Sequence, residues 1–266
     1  MLSHEEIEER LAFARTVVED AGEIALRYFR QPIEVENKLA GAEFDPVTRA
    51  DREVEARIRH QLGGAYPDDS IIGEEEGTSA GSSGVAWVID PIDGTRAFIS
   101  GVPAWGTLVG LMDGARCVGG LMHQPYIGET FIGSAAGAML HHRGEHVALK
   151  ARAGAQLSDA ILYCTHPKHF ETEADLAAFY RVAEASRLYR FGGDCYSYCL
   201  LAQGQIDLVI EGGLQPYDII PLIPLIEAAG GVVTDWDGKP ALSGGNIIAA
   251  ANPRLHVEAL EMLNNV

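Results

Sequence analysis

One short segment, Asp90-Pro91-Ile92-Asp93-Gly94-Thr95, restricts the possible folds more than any other part of the chain. It follows the apolar stretch 85–89, which predicts a buried strand. Pro91 stiffens the turn between two carboxylates that are three residues apart. Gly94 lets the backbone come close to a ligand. The segment therefore predicts a strand, a turn that presents both aspartates at the strand end, and a helix that begins at Thr95.

This turn suits a metal ion and a phosphate group. Mg²⁺ prefers hard carboxylate oxygens together with a backbone carbonyl. The first turn of a helix offers free N–H groups and a partial positive charge, which favour a phosphate. The alternative is a solvated turn, which is what two aspartates three residues apart usually form. The flanking strand, the proline and the Gly-Thr pair argue against that alternative.

The charge balance of the chain limits its partners. The 266 residues carry 38 acidic and 20 basic side chains, a formal net charge of −18. A nucleic-acid partner is disfavoured because a phosphate backbone requires a basic surface. An acidic protein that acts on an anionic substrate needs local positive charge, which divalent metals held by carboxylates supply. A solvated acidic surface is the other explanation for this composition.

Neither a membrane segment nor a secretory signal is expected. No apolar run approaches the roughly 18 residues that a spanning helix needs. The first 30 residues are acidic and amphipathic and lack a basic n-region and an apolar h-region. We therefore expect a cytoplasmic protein with no membrane partner.

Apolar periodicity predicts an α+β fold. Helices are expected over 4–30, over about 49–62 with Gly63-Gly64 as the stop, and over 172–185, 194–203, 219–229 and 253–264. Antiparallel strands are expected over 105–112, 115–124 and 129–134, and further strands over 161–165 and 206–211. The pattern changes from about residue 150, with a boundary expected near 134–155. We therefore predict an N-terminal α+β subdomain over 1–140, which carries most of the metal ligands, and a C-terminal α/β subdomain over 141–266.

Three further acidic segments accompany the central turn. Glu74 lies in a Gly-Glu-Glu-Glu run after a short apolar strand, where a solvated charge run is the alternative. Asp218 precedes a strongly apolar helix, where the alternative is an N-cap. Asp45 begins the segment Asp45-Pro46-Val47-Thr48, where the alternative is a simple turn.

In this order, the four segments resemble the inositol-monophosphatase superfamily of metal-dependent sugar and polyol phosphatases. The matching segments are Asp45-Pro46-Val47-Thr48, Gly73-Glu74-Glu75, Trp87-Val88-Ile89-Asp90-Pro91-Ile92-Asp93-Gly94-Thr95, and Asp218 followed by Glu227-Ala228-Ala229-Gly230-Gly231. The resemblance spans almost the whole chain. It implies a layered α-β-α-β-α sugar-phosphatase-like fold with two α/β subdomains, a small-molecule phosphate ester as substrate, and a homodimer.

The resemblance also implies a set of metal ligands. Glu74, Asp90 and the Ile92 carbonyl would hold one Mg²⁺ ion. Asp90, Asp93 and Asp218 would hold a second. A third, weaker ion is expected near Glu74, and Mn²⁺ is an alternative metal. Two ions of this kind can clamp both the attacking and the leaving oxygen of an in-line displacement.

The catalytic roles follow from the same resemblance. Asp45 and the Thr95 hydroxyl would position and deprotonate the attacking water. The backbone amides of Gly94 and Thr95 would contact the phosphate. All of these assignments are expectations about side chains that are distant in sequence.

Three segments, 93–108, 192–198 and 213–218, are similar to the histidinol-phosphatase branch of this superfamily. The resemblance implies hydrolysis of L-histidinol phosphate in histidine biosynthesis. Histidinol carries an ammonium and an imidazole, so its site would favour carboxylates beyond the metal ligands. Glu211 and Asp194 are the candidates, with an N-cap as the alternative for Asp194. Arg190 is a further candidate, with a surface role as its alternative.

Other readings remain. An inositol-1-monophosphatase or a broad-specificity sugar and nucleotide phosphatase would use the same metal site. A non-catalytic binding protein on this scaffold is disfavoured because every expected carboxylate position is filled. The stretch containing His141, His142 and His146 resembles a metal-binding pattern, but its polar turn favours a surface hairpin.

Overall fold

The computed structural model describes residues 1–32, 34–37 and 46–265. The helices are α1 (His4–Tyr28), α2 (Arg49–Ala65), α3 (Thr95–Ser100), α4 (Glu173–Ala185), α5 (Asp194–Ala202), α6 (Pro216–Ile219), α7 (Ile223–Ala228) and α8 (Pro253–Asn264). No helix among these described residues is both long enough and apolar enough to span a bilayer. Asp45 lies outside the described residues.

The strands form three sheets. They are β1 (Val35–Asn37), β2 (Pro46–Thr48), β3 (Ser70–Gly73), β4 (Gly77–Ser79), β5 (Val85–Asp93), β6 (Gly106–Asp113), β7 (Arg116–Gln124), β8 (Glu129–Ser134), β9 (Gly137–His142), β10 (Glu145–Ala148), β11 (Ile161–Cys164), β12 (Leu188–Phe191), β13 (Leu208–Leu214), β14 (Val232–Asp235) and β15 (Gly245–Ala250). The first large sheet has the order β10-β9-β8-β7-β6-β5-β3-β4, and the second has the order β12-β11-β13-β15-β14. β1 pairs with β2 alone.

Three apolar cores join these elements into five layers. One core lies between α1, α2 and the first sheet, and includes Leu11, Ile58 and Trp87. A second joins the other face of this sheet to α5, α7 and the second sheet. A third packs α4 and α8 on the outer face of the second sheet. The predicted α-β-α-β-α layering is confirmed.

The first sheet extends beyond the predicted subdomain boundary. Residue 140 lies within β9, and β10 adds an edge strand that ends at Ala148. The second sheet begins at β11, so a loop and one 3₁₀ turn, Leu157–Asp159, connect the two sheets.

Two of the predicted helices differ from those in the structure. α2 continues through Gly63 and Gly64 to Ala65 because neither glycine adopts the left-handed conformation that would cap the helix. The segment predicted as one helix over 219–229 is divided into α6, a 3₁₀ turn (Ile220–Leu222) and α7. Pro221 and Pro224 lack the N–H groups that a continuous helix would need, and each lies at the start of a new helical segment.

Candidate active site

Three aspartate carboxylates meet at the end of β5. One oxygen from each of Asp90, Asp93 and Asp218 lies within 4.8 Å of the other two. β5 supplies the first two aspartates, and α6 supplies the third. The structure therefore brings together three residues that the sequence assigned to metal ions.

A β-bulge turns the two β5 carboxylates toward the same point. In a regular strand, residues three apart point to opposite faces. The pairing of β5 with β6 shifts register between Asp90 and Asp93, and such a shift re-aims the side chains. The Thr107 hydroxyl donates a 2.8 Å hydrogen bond to the Pro91 carbonyl within this bulge. The Ile92 amide donates one of 3.1 Å to Asp90 Oδ1.

Asp218 reaches the cluster from the first turn of α6. The N-cap of this helix is Gln215, whose backbone amide donates a 2.7 Å hydrogen bond to Asp218 Oδ2. The following 3₁₀ turn packs directly on the first sheet, since a Cβ added at Gly120 would lie 2.0 Å from the Pro221 carbonyl oxygen. The close approach brings α6 near the end of β5.

Glu74 lies beside Asp90. The Glu74 backbone amide donates a 3.2 Å hydrogen bond to the Ile89 carbonyl, and the Glu74 carboxyl group is close enough to raise the pKa of Asp90. The buried Glu55 carboxylate accepts hydrogen bonds of 2.7 and 3.0 Å from the two amides that follow Glu74. The acidic run is therefore anchored to α2 rather than freely solvated.

The crowded carboxylates favour a cation. Burial raises the pKa of Asp90 well above its ordinary value, and the neighbouring Glu74, Asp93 and Asp218 raise it further. Burial also raises the pKa of Asp93 well above its ordinary value, and the neighbouring Asp218 and Asp194 raise it further. A divalent ion placed among these oxygens would offset the repulsion and stabilise their charged forms. The oxygen-only donor set fits Mg²⁺ or Mn²⁺.

Asp51 forms a second acidic position beside this cluster. Its side chain is buried, and its Oδ2 accepts hydrogen bonds from the Thr48 amide (2.8 Å) and hydroxyl (2.5 Å). The Thr95 hydroxyl lies 3.4 Å from Asp51 Oδ1 and 3.1 Å from the Ile92 carbonyl oxygen. Burial raises the pKa of Asp51 to about 6. A carboxylate with this pKa is suited to accept a proton near neutral pH.

The sequence contained a signal for Asp51 that the prediction did not use. Thr48 followed three residues later by Asp51 is a capping box, and it marks the start of α2. The pattern explains why the acid is conformationally fixed, but it does not reveal that Thr95 lies beside it.

Gly94 and Thr95 begin α3 close to these acids. Gly94 has a φ of 84°, in the left-handed region, and precedes the helix as its N-cap. A Cβ at this position would lie 3.0 Å from the Asp194 Cβ. Glycine is therefore required both by the backbone conformation and by the close approach of α5.

Asp194 opens α5 and faces Gly94. Gly193 is the N-cap, so the alternative N-cap role for Asp194 is not observed. The φ of Asp194 is 43°, which is unusual for a residue other than glycine. Burial raises the pKa of Asp194 to about 6, although the Arg96 guanidinium opposes this shift. The next amide, that of Cys195, donates a 2.9 Å hydrogen bond to Asp93 Oδ1.

Arg96 and His169 form a contact that the sequence did not predict. The Arg96 guanidinium contacts the His169 Nε2 atom. Arg96 lies on α3, which follows β5 of the first sheet, and His169 follows β11 of the second sheet. Burial, Arg96 and His166 together lower the pKa of His169 to about 4. His169 is therefore neutral at physiological pH and can accept a hydrogen bond from the guanidinium.

Glu211 and Arg190 lie on two strands of the second sheet, β13 and β12. Glu211 on β13 is only 1% exposed, and both of its oxygens accept hydrogen bonds from the Thr165 amide at 2.9 and 3.0 Å. Burial raises the pKa of Glu211 to about 8. Arg190 lies on the exposed edge strand β12, with its guanidinium 5.7 Å from the centre of the Tyr163 ring.

Comparison with known protein families gives a match over nearly the whole chain. The sequence model described as the inositol monophosphatase family matches residues 6–266. The bifunctional phosphatase IMPL2 of Arabidopsis thaliana chloroplasts is 38% identical, over 98% of this chain and 77% of that protein. The histidinol-phosphatase of Chlorobaculum parvum is 31% identical, over 96% of both proteins.

Comparison of structures gives a similar result. An inositol monophosphatase from Zymomonas mobilis superposes with a TM-score of 0.85 and is 36% identical. The alignment covers 97% of this chain and 98% of the other.

Proposed function

Because the chain belongs to the inositol monophosphatase family of phosphatases, we propose that it is a magnesium-dependent histidinol-phosphate phosphatase. The meeting of Asp90, Asp93 and Asp218 carries the proposal that it uses a metal. The acidic surroundings of Gly94 support a cationic substrate.

The proposed metal ligands follow the observed donor set. Glu74, Asp90 and the Ile92 carbonyl would hold one ion, and Asp90, Asp93 and Asp218 would hold another. When bound, these ions would neutralise charge on the phosphoryl oxygens and lower the pKa of bound water.

Asp51 and Thr95 are the proposed residues for water activation. The Thr95 hydroxyl, fixed between Asp51 and the Ile92 carbonyl, would orient the attacking water. Asp51 is a further candidate to accept the proton, beside Asp45, to which the family resemblance gives this role. The amides of Gly94 and Thr95 would hold the phosphate at the start of α3.

The preference for histidinol phosphate rests on the acids beyond the metal ligands. Asp194 is positioned against Gly94, where the leaving group of a phosphate held by α3 would lie. Its carboxylate would pair with the ammonium or imidazolium of histidinol. Glu211 has a pKa of about 8 and is therefore mostly protonated near neutral pH, and a cationic leaving group beside it would favour its carboxylate form. The histidinol-phosphatase from Chlorobaculum parvum supports the same substrate.

Inositol 1-phosphate is the competing substrate, because the similar protein from Zymomonas mobilis is an inositol monophosphatase. Steady-state kinetics on histidinol phosphate, inositol 1-phosphate and p-nitrophenyl phosphate at saturating Mg²⁺ would decide between them. We expect the highest kcat/KM for histidinol phosphate. A higher value for inositol phosphate would overturn the substrate assignment while leaving the phosphatase assignment intact.

A single variant tests the role of the extra acid. Asp194→Asn should lower kcat/KM for histidinol phosphate by about 10- to 100-fold, the cost of a lost hydrogen bond to a charged group. Turnover of p-nitrophenyl phosphate, which has no cationic leaving group, should change little. The exposed Asp237 provides the matched control, Asp237→Asn. Equal losses on both substrates would remove Asp194 from leaving-group recognition.

A further inference from the structure

Three charged side chains follow one another along one side of α2. Asp51, Glu55 and Arg59 are four residues apart, so they lie one above the other on the same face of the helix. Asp51 and Glu55 are buried, and the Arg59 side chain is only 9% exposed. Charged side chains are almost never buried unless they are paired. The proposed mechanism uses Asp51 but neither of the other two.

The Glu55 carboxylate accepts three hydrogen bonds. Its Oε2 accepts one of 2.7 Å from the Glu75 amide, and its Oε1 accepts one of 3.0 Å from the Glu76 amide. Arg59 Nε donates a third, of 2.7 Å, to Oε1. Hydrogen bonds to an ionised acceptor are about twice as strong as those between neutral groups. Glu55 therefore fixes the turn that connects β3 to β4.

This turn lies very close to α2. A Cβ added at Gly73, the last residue of β3, would lie 2.2 Å from Glu55 Oε1 and 2.6 Å from Arg59 Nη2. The φ of Gly73 is not in the left-handed region, so space and not backbone conformation requires glycine here. The missing side chain therefore lets the end of β3 approach the Glu55–Arg59 pair.

Arg59 fixes the second strand of the same hairpin. Its guanidinium donates hydrogen bonds to the Gly77 carbonyl and, at 3.3 Å, to the Ser79 hydroxyl. Its Nε atom also lies 3.9 Å from Glu76 Oε2. One guanidinium therefore connects Glu55 to β4, and the hairpin is held to α2 both at its turn and along its second strand.

Glu74 lies between these contacts and the aspartates of β5. Its own amide donates a 3.2 Å hydrogen bond to the Ile89 carbonyl, and the next two amides donate to Glu55. The backbone of Glu74 is thereby held from both sides. The Glu74 carboxyl group is a neighbour of the Asp90 carboxyl group. Two carboxylates repel each other, so a fixed backbone is needed to keep them together before an ion binds.

Taking Glu74 and Asp90 as metal ligands, as the proposed function does, we propose that Glu55 is a positioning residue that holds Glu74 in place to share the ion. Glu55 itself touches no ion, because its oxygens already accept hydrogen bonds from N–H groups. Groups that orient a metal ligand in this way change metal affinity by about 10- to 100-fold when they are removed.

Titration of the full chain with Mn²⁺, followed by electron paramagnetic resonance of the free ion, tests this role. Glu55→Gln keeps the size of the side chain but replaces one acceptor oxygen by an NH₂ group. One Mn²⁺ ion should then bind about 10- to 100-fold more weakly than in the parent protein. Glu53→Gln is the matched control, because Glu53 lies on the same helix and pairs with Arg49 at 2.6 Å. It should leave Mn²⁺ binding unchanged.

A double-mutant cycle separates positioning from a general loss of structure. Because Glu55 acts through Glu74, adding Glu55→Gln to Glu74→Gln should change Mn²⁺ affinity by no more than about twofold. An equal loss in both backgrounds would overturn the proposal, and so would parent-like Mn²⁺ binding by Glu55→Gln. A parent protein that binds no Mn²⁺ would overturn the metal assignment as well, so the two failures are distinguishable.

Two further measurements do not depend on the folding of one variant. Gly73→Ala displaces the Glu55 carboxylate without removing it, and it should weaken the same Mn²⁺ ion. In the metal-free protein, the amides of Glu75 and Glu76 should exchange with solvent faster in Glu55→Gln than in the parent. Unchanged exchange at both amides, or unchanged Mn²⁺ binding by Gly73→Ala, would contradict the positioning role.

Discussion

The Thr95 hydroxyl lies 3.4 Å from Asp51 Oδ1, although the two residues belong to different helices, α3 and α2. The Thr48 capping interactions fix the other oxygen of Asp51. One carboxylate therefore both caps the first turn of a helix and approaches the carboxylate cluster. The described hydrogen-bond donors to the buried Asp51 carboxylate are an amide and two hydroxyl groups.

Replacement of Asp51 tests its role in water activation. Asp51→Asn keeps the size of the side chain and removes the proton acceptor, so kcat should fall by about 100- to 10,000-fold. Asp45→Asn is measured beside it, because the family resemblance gives Asp45 the same role. Both variants should be assayed with p-nitrophenyl phosphate after their folding has been checked by circular dichroism. An inactive Asp45→Asn beside an active Asp51→Asn would return the role to Asp45.

Gly120 tests how the site depends on the packing of the helix that carries Asp218. A Cβ at Gly120 would lie 2.0 Å from the Pro221 carbonyl oxygen, so Gly120→Ala should force the 3₁₀ turn away from the sheet. We expect a loss of about 1–3 kcal/mol in the free energy of unfolding and weaker Mg²⁺ activation.

The control for this prediction is another glycine of the chain. Gly64 lies in α2 with nothing within 4 Å of an added Cβ. Gly64→Ala should leave stability unchanged or raise it by about 0.5–1 kcal/mol, since alanine favours a helix. Urea unfolding measures both variants. Equal stability of Gly120→Ala and the parent protein would contradict the packing argument.

His123 should make the stability of the protein depend on pH. Its folded-state pKa is about 4, against 6.5 for a free histidine, because the ring is buried. The unfolded chain therefore binds a proton that the folded chain excludes, and stability falls as the pH drops from 6.5 to 4. The contribution is roughly 3 kcal/mol, at about 1.4 kcal/mol for each pKa unit.

The variant His123→Gln isolates this contribution. Urea unfolding at pH 7 and pH 4.5 should show a smaller loss of stability in the variant than in the parent protein. An identical loss in both proteins would mean that other groups account for the acid sensitivity.

Local sequence patterns predicted most of the helices and strands. Ser3 and Glu6 form a capping box at the start of α1, and the apolar pattern located β6, β7 and β8 to within about one residue. The helix interruptions at Pro221 and Pro224 were missed because apolar content outweighed the missing N–H groups in the prediction. The prediction that Gly63 and Gly64 stop α2 was wrong. Neither glycine adopts the left-handed conformation that commonly ends a helix.

One segment was enough to predict Asp90 and Asp93, whereas Glu74 and Asp218 were predicted from the family resemblance. Asp90 and Asp93 share the bulged end of β5, so their spacing in the sequence revealed them. Asp51 and the contact of Arg96 with His169 depend on elements that meet only in the folded chain. No local pattern encodes such a long-range approach.

The convergence of the aspartates on a metal is tested most directly by anomalous diffraction. Crystals soaked in Mn²⁺ should show an anomalous peak within about 2.2 Å of oxygens from Asp90, Asp93 and Asp218. Crystals of Asp218→Asn should show a weaker peak or none at that position. Strong manganese peaks that avoid all three carboxylates, with the cluster remaining empty at saturating metal, would contradict the account.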